Sequence, residues 1–302
     1  MDILHDVHWV LPLRSPALTQ LAFGLSWLGY STFIMFFMAL GYWTWSKAIF
    51  YRLLILVAIN AVLNAYLKDY FQDPRPAMEL RLDDLVHASY GLPSGHAQLA
   101  VVLWMWLAWE VRRAWVWVLC TAIALGVMAS RLYLGVHDLE DLLVGAAVGG
   151  ASLLVFERLR HRQWYWQTSL GWNMALIALV TAAALLTWPG TAPEYIPTLA
   201  GWLAAATWSL RVDHRHIGFA NPHTLWRRCA VGALGVVLFL GEQKLLKFTG
   251  THLALQPLLW ALVKGVVSGV FVSLLVPWLV CRLRLAPGGR APLGTPALAK
   301  AY

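Results

Sequence analysis

"LLILVAINAVLNAYLKDYFQDPRP", Leu53–Pro76, is apolar almost without interruption as far as Leu67 and then abruptly charged. Lys68 and Arg75 stand seven positions apart there, with Asp69 and Asp73 between them and a proline on each side of Arg75. The first half has the character of a membrane-crossing helix, and the second is too polar to meet a bilayer without a purpose. The rest of the chain agrees with the first half. Of its 302 residues, 60% are hydrophobic and 13% charged, and the mean hydropathy is +0.61. Soluble chains carry about 25% charged residues. Composition therefore excludes a soluble domain and points to an all-α, polytopic membrane helix bundle. A helix needs about 20 apolar residues to cross a bilayer. Apolar stretches at 18–42, 49–67, 94–111, 114–130, 136–156, 170–188, 196–210, 226–241 and 258–280 suggest about nine transmembrane helices.

Basic residues gather in alternate connections: Lys47 and Arg52, Arg112 and Arg113, Arg158 to Arg162, Arg211 to Arg228, and Arg282 to Arg290. The positive-inside rule puts these in the cytoplasm, so the N-terminus is expected outside and the C-terminus inside. Trp109, Trp115, Trp164 and Trp166 crowd the same inner ends, as an aromatic belt would. The net charge of +8 is then a topology signal and not a sign of nucleic acid. Met1–Arg14 lacks the basic start and cleavable apolar run of a signal peptide and reads as an interfacial segment. Cys120, Cys229 and Cys281 imply neither a disulfide framework nor a metal site.

Two further polar islands fall on the same outer side as Lys68–Pro76. "GLPSGHAQ", Gly91–Gln98, opens the third apolar helix, and "SRLYLGVHDLED", Ser130–Asp141, joins the fourth and fifth. Ionisable groups at membrane depth are costly, so their convergence marks a functional site. Ser94 is a plausible N-cap, and the free N–H groups that follow can receive an anion. Gly95 leaves the backbone open to a ligand, and His96 lies in the first turn. Arg131 offers a planar fork suited to phosphate oxygens. His137 and Asp141, four apart at a helix start, share one face, so that the acid can orient the imidazole as in a catalytic triad. Asp69, Asp73, Asp138 and Glu140 read mainly as solvated loop charge, and Arg14, Arg81, Lys244 and Lys247 carry no assigned chemistry. Gln98 reads as a possible packing residue near the site.

Lys68, six residues, Arg75-Pro76; Pro93-Ser94-Gly95-His96; Ser130-Arg131, five residues, His137, three residues, Asp141. This set resembles the complete three-part signature of the type 2 phosphatidic acid phosphatase superfamily. The resemblance implies that Lys68, Arg75, Ser94, Gly95 and Arg131 bind phosphate. It implies that His137 is the nucleophile of a phosphohistidine intermediate, that Asp141 orients it, and that His96 serves as acid and then base. No cofactor and no metal are implied. On this view residues 1–190 form the phosphatase membrane core, 191–285 add C-terminal transmembrane helices, and 286–302 form a disordered tail. The short Ala77–Leu92 connection leaves little chain for a lid, which favours a phosphorylated lipid as substrate and membrane lipids as partners. A sugar phosphate, or transfer of the phosphoryl group to another acceptor, stands as the alternative. The Ala-, Leu-, Trp- and Arg-rich composition suits a bacterial inner membrane, with the site facing the periplasm.

Overall fold

Residues 4–83, 89–160, 169–252 and 255–289 are described in the computed structural model. Arg162, Trp164, Trp166, Arg290 and the tail from residue 290 onward lie outside them. Among the described residues every regular element is helical. Five helices are long and apolar enough to cross a membrane: Lys47–Phe71, Ala114–Tyr133, Leu139–Arg160, Leu225–His252 and Pro257–Arg282. A sixth is added if Pro16–Trp27 and Ser31–Thr44, which meet at 55°, are taken as one span. The sequence suggested about nine. The difference lies in stretches that are apolar but short as helices: Leu170–Leu186 has 17 residues, about 25 Å of rise against a hydrocarbon core of about 30 Å.

The helices begin where their sequences provide caps. α1 (Pro16–Trp27) has proline at its first position and Ser15 Oγ accepting from the Leu18 N–H. α2 is Ser31–Thr44 and α3 is Lys47–Phe71. α4 (Gly95–Ala100) starts from Ser94, whose side chain accepts from the Ala97 N–H. It continues through a π-helical turn, Val101–Met105, into α5, Trp106–Val111. α6 is Ala114–Tyr133 and α7 is Leu139–Arg160.

The chain forms two units. The first comprises residues 1–35, 59–159 and 188–191 and contains all three polar islands. Within it α1 and α4 pack on α6. α7 approaches the start of α4 through two glycines one turn apart. A Cβ on Gly145 would meet the Ser94 carbonyl at 2.6 Å, and one on Gly149 the Gln98 carbonyl at 2.6 Å. Such small-residue spacing is how membrane helices bring backbones together.

The second unit comprises residues 36–58, 160–187 and 192–302. Tyr195–Val212 packs on Pro257–Val270, with Gly201 and Gly265 on the contact. Lys47, read from sequence as a topology charge, is tied there: its Nζ donates to Asp213 Oδ2 at 2.6 Å.

Candidate active site

The spacing of the third island follows from how α6 ends. Gly135 is left-handed (φ 67°), its N–H donates to the Leu132 carbonyl at 2.9 Å, and the Val136 N–H donates to the Arg131 carbonyl at 3.2 Å. These two bonds form a Schellman turn. The turn closes on Arg131 and delivers His137 one residue later, so five intervening residues are what the reversal requires. α7 then starts under Asp138, whose Oδ1 accepts from the Asp141 N–H at 3.0 Å.

His137 is buried and held at both ring nitrogens. Nδ1 lies 2.7 Å from Asp141 Oδ2, and Nε2 lies 3.0 Å from Arg75 NH1. A guanidinium can only donate, so Nε2 carries the lone pair and the Nδ1 proton is directed to Asp141. Burial, and after it the charges of Arg75, Lys68 and Arg131, hold the His137 pKa well below its ordinary value.

The first island supplies two cations around this ring. Arg75 also donates to the Val136 carbonyl, 2.9 Å, and clasps Ser89 through its carbonyl, 2.7 Å, and hydroxyl, 2.9 Å. Burial, then the neighbouring Arg131 charge, lower its pKa to about 10. Lys68, in the last turn of α3, donates to the carbonyls of Tyr90 and Gly91, the latter at 2.8 Å. Gly91 is needed here because a Cβ would meet the Asp141 carboxylate at 2.9 Å.

The second island is fastened by amides. Asn64 Nδ2 donates to the Pro93 carbonyl at 3.0 Å and to Gln98 Oε1 at 2.9 Å. Gln98 Nε2 donates to Asn60 Oδ1 at 2.8 Å. The Ser94 N–H donates to the Asp141 carbonyl at 2.9 Å, tying the second island to the third. His96 Nε2, Arg131 Nε and Asp141 Oδ1 are buried without a protein partner. Among the described residues no group of three His, Cys, Asp or Glu could hold a metal ion.

The structure thus brings Lys68, Arg75, Ser94, Gly95, His96, Arg131, His137 and Asp141 into one unit. It also brings in residues that the motifs do not contain. Arg131 NH1 donates to Asp83 Oδ2 at 2.8 Å and to Ser26 Oγ. Tyr30 donates to the same Asp83 oxygen at 2.5 Å. Asp83, the first of two adjacent acids in "RLDDL", carries no periodic signal and was not legible. Asn60 and Asn64 were also not singled out, although their four-residue spacing from Lys68 puts all three on one face of α3. Several charges read as solvated, or left without assigned chemistry, are engaged. Asp138 caps α7 and pairs with His5 at 3.2 Å. Asp69 accepts from the Trp188 indole at 2.7 Å. Arg14 and Arg81 donate to the carbonyls of Leu80 and Pro76 at 2.6 and 2.8 Å.

The PAP2 superfamily model matches residues 49–165, which include every motif residue. Phosphatidylglycerophosphatase B of Bacillus subtilis is 30% identical over 162 residues, covering 48% of this chain and 74% of that protein. A dihydrosphingosine 1-phosphate phosphatase of Saccharomyces cerevisiae is 24% identical, over 50% of this chain but only 43% of that protein. The crystal structure of a transmembrane PAP2 type phosphatidylglycerolphosphate phosphatase from Bacillus subtilis aligns with 25% identity. It covers 52% of this chain and 83% of that one, at a TM-score of 0.44. With the family match over the three motifs, and 30% identity across most of a bacterial phosphatase, this chain belongs to the PAP2 superfamily.

Proposed function

We propose that the protein is an integral membrane phosphatase. It would hydrolyse a phosphomonoester or diphosphate of a lipid through a phosphohistidine on His137, without a metal. The observation that carries this reading is the His137 ring, with Nδ1 against Asp141 and the Nε2 lone pair toward Arg75. An incoming phosphate draws Arg75 NH1 onto its own oxygen and frees Nε2. Lys68, which has three donors, and Arg131 take the remaining charge, since phosphoryl transfer is mostly positioning and charge stabilisation. The Nε2–P bond forms as the P–O bond to the leaving group breaks. His96 gives its Nε2 proton to that oxygen, then takes a proton from the water that cleaves the P–N bond. Asp141 stabilises the imidazolium throughout.

The lipid substrate is supported by the relatives, both named for lipid phosphates, and by a site built at the ends of membrane-length helices. The alternation of basic connections along the sequence supports an outer position for the three motifs, so the site would face the periplasm of a bacterial inner membrane. Met78, 78% exposed in the loop after Arg75, would report it. A Met78→Cys variant in a cysteine-free background should react with an impermeant maleimide in spheroplasts, and protection would reverse the topology.

The chemistry is tested with purified protein in detergent on a lipid monophosphate, an isoprenyl diphosphate, a sugar phosphate and p-nitrophenyl phosphate. Phosphate should be released from the lipids, and His137→Ala should abolish release from every substrate. In His96→Ala the burst should fall by ~10²–10⁴ with an alkyl phosphate and much less with p-nitrophenyl phosphate, while acid-labile phosphohistidine accumulates. Equal burst losses with no trapped label would sink this division of labour, and preference for the sugar phosphate would sink the lipid reading.

A further inference from the structure

Arg131 is 1% exposed, yet its contacts are not to other members of the three motifs. NH1 is shared between Asp83 Oδ2, at 2.8 Å, and Ser26 Oγ. The same Asp83 oxygen accepts the Tyr30 hydroxyl at 2.5 Å. The Tyr30 ring stands edge-to-face with the His96 ring, centroids 4.8 Å apart and planes at 88°, and the Arg131 guanidinium lies 5.9 Å from the Tyr30 ring centre. Gly29 completes the arrangement, because a Cβ there would collide with the His96 ring. One carboxylate and one phenol therefore join the phosphate-binding arginine to the proton-transferring histidine.

We propose that Asp83 and Tyr30 are positioning residues, a brace that fixes the Arg131 fork and the His96 ring relative to each other. Two buried atoms of the braced pair have no protein partner: Arg131 Nε, beside the committed NH1, and His96 Nε2, on the ring packed against Tyr30. Electrostatics alone would not select Asp83, since a carboxylate beside an arriving phosphate opposes binding. Its value lies in orientation. A guanidinium fork anchored at one nitrogen cannot rotate, and its remaining N–H bonds meet the phosphate in one geometry. The brace also compensates a buried guanidinium before substrate arrives, which an unpaired arginine could not tolerate.

This inference rests on the phosphohydrolase reading above, so wild type and His137→Ala are run beside the brace variants. Asp83→Asn, Tyr30→Phe and Tyr30→Leu are assayed in detergent with a long-chain alkyl phosphate and with p-nitrophenyl phosphate. Asp83→Asn should lower kcat by about 10–100-fold on both, the scale of a small misplacement of a positioning group. KM should stay level or fall, because the opposing charge is gone. Tyr30→Phe keeps the ring and should show a smaller loss of the same kind. Tyr30→Leu removes the surface behind His96 and should slow the alkyl phosphate about tenfold more than the nitrophenyl ester, as weakened general acid catalysis does. In Tyr30→Leu a merely structural role would slow both substrates alike, and that equality would overturn the proposal. So would His137-dependent turnover in Asp83→Asn within about twofold of wild type, or a rise in KM alone. If Asp83→Asn is not recovered folded, Tyr30→Phe decides, and an unchanged kcat there overturns the brace. A wild type with no His137-dependent phosphate release would remove the phosphatase reading itself, and the brace with it.

Discussion

Arg75 NH1 lies 3.0 Å from His137 Nε2, so an arginine proton occupies the lone-pair direction of that nitrogen. The contact sets the tautomer of the ring and covers its lone pair. In the proposed reaction it would also link binding to reactivity, because a phosphate oxygen that accepts the Arg75 hydrogen bond would uncover the nitrogen that attacks.

The tautomer depends equally on Asp141, 2.7 Å from Nδ1. Asp141→Asn can offer an N–H to Nδ1 and so favour the wrong tautomer, with the proton on Nε2. The expected loss in kcat is ~10³–10⁴, the scale seen when a triad loses its orienting acid, with the fold retained by circular dichroism. A loss below about tenfold would leave Asp141 as a helix-start acid only.

Burial and three neighbouring cations favour the neutral form of His137. In ¹⁵N-histidine-labelled protein the resonance lost in His137→Asn should remain that of a neutral imidazole at pH values where an ordinary His, with a pKa of about 6.5, is protonated. The folded pKa lies below the unfolded one, so the unfolded chain binds the proton first. The group therefore costs no stability well above pH ~6.5 and destabilises progressively as pH falls below it. Titration of that resonance at or above the ordinary value would contradict the assignment of these charges to the His137 environment.

Two neighbouring glycines on α7 should respond in opposite senses. A Cβ on Gly145 meets the Ser94 carbonyl at 2.6 Å, whereas one on Gly150 meets nothing within 4 Å. Gly145→Ala should destabilise by about 1–3 kcal/mol, as overpacking does, and should lower activity through displacement of Ser94. Gly150→Ala should be neutral or stabilise by about 0.5–1 kcal/mol. Melting in detergent reads both, and equal melting points would show that α7 does not seat on the Ser94 loop.

With Lys68, Arg75 and Arg131 as the charge-stabilising groups, phosphate release should survive EDTA. It should be inhibited by vanadate, which adopts the five-coordinate geometry of the transferring phosphorus. Activity lost in EDTA and restored by Mg²⁺ would transfer that role to a metal.

Much of this was legible in the sequence. The apolar runs determined that the chain is helical and membrane-bound, because a bilayer leaves the backbone few other ways to satisfy its polar groups. The three motifs marked which side chains are proposed to bear the chemistry. Where a local turn sets the geometry, spacing carried it: Gly135 closes a Schellman turn on Arg131, and Asp141 follows His137 by one helical turn. Helix length was less legible, since apolarity does not reveal where a chain bends, as between α1 and α2. What only the tertiary structure decided is which distant groups partner the motif residues. Arg131 takes Asp83 and Ser26, His96 faces Tyr30, and Asn64 takes Gln98 and Pro93. Hydrophobic pattern records how much of a residue prefers to leave water. A buried polar atom must also find one particular partner, and that partner lies wherever packing brings another segment.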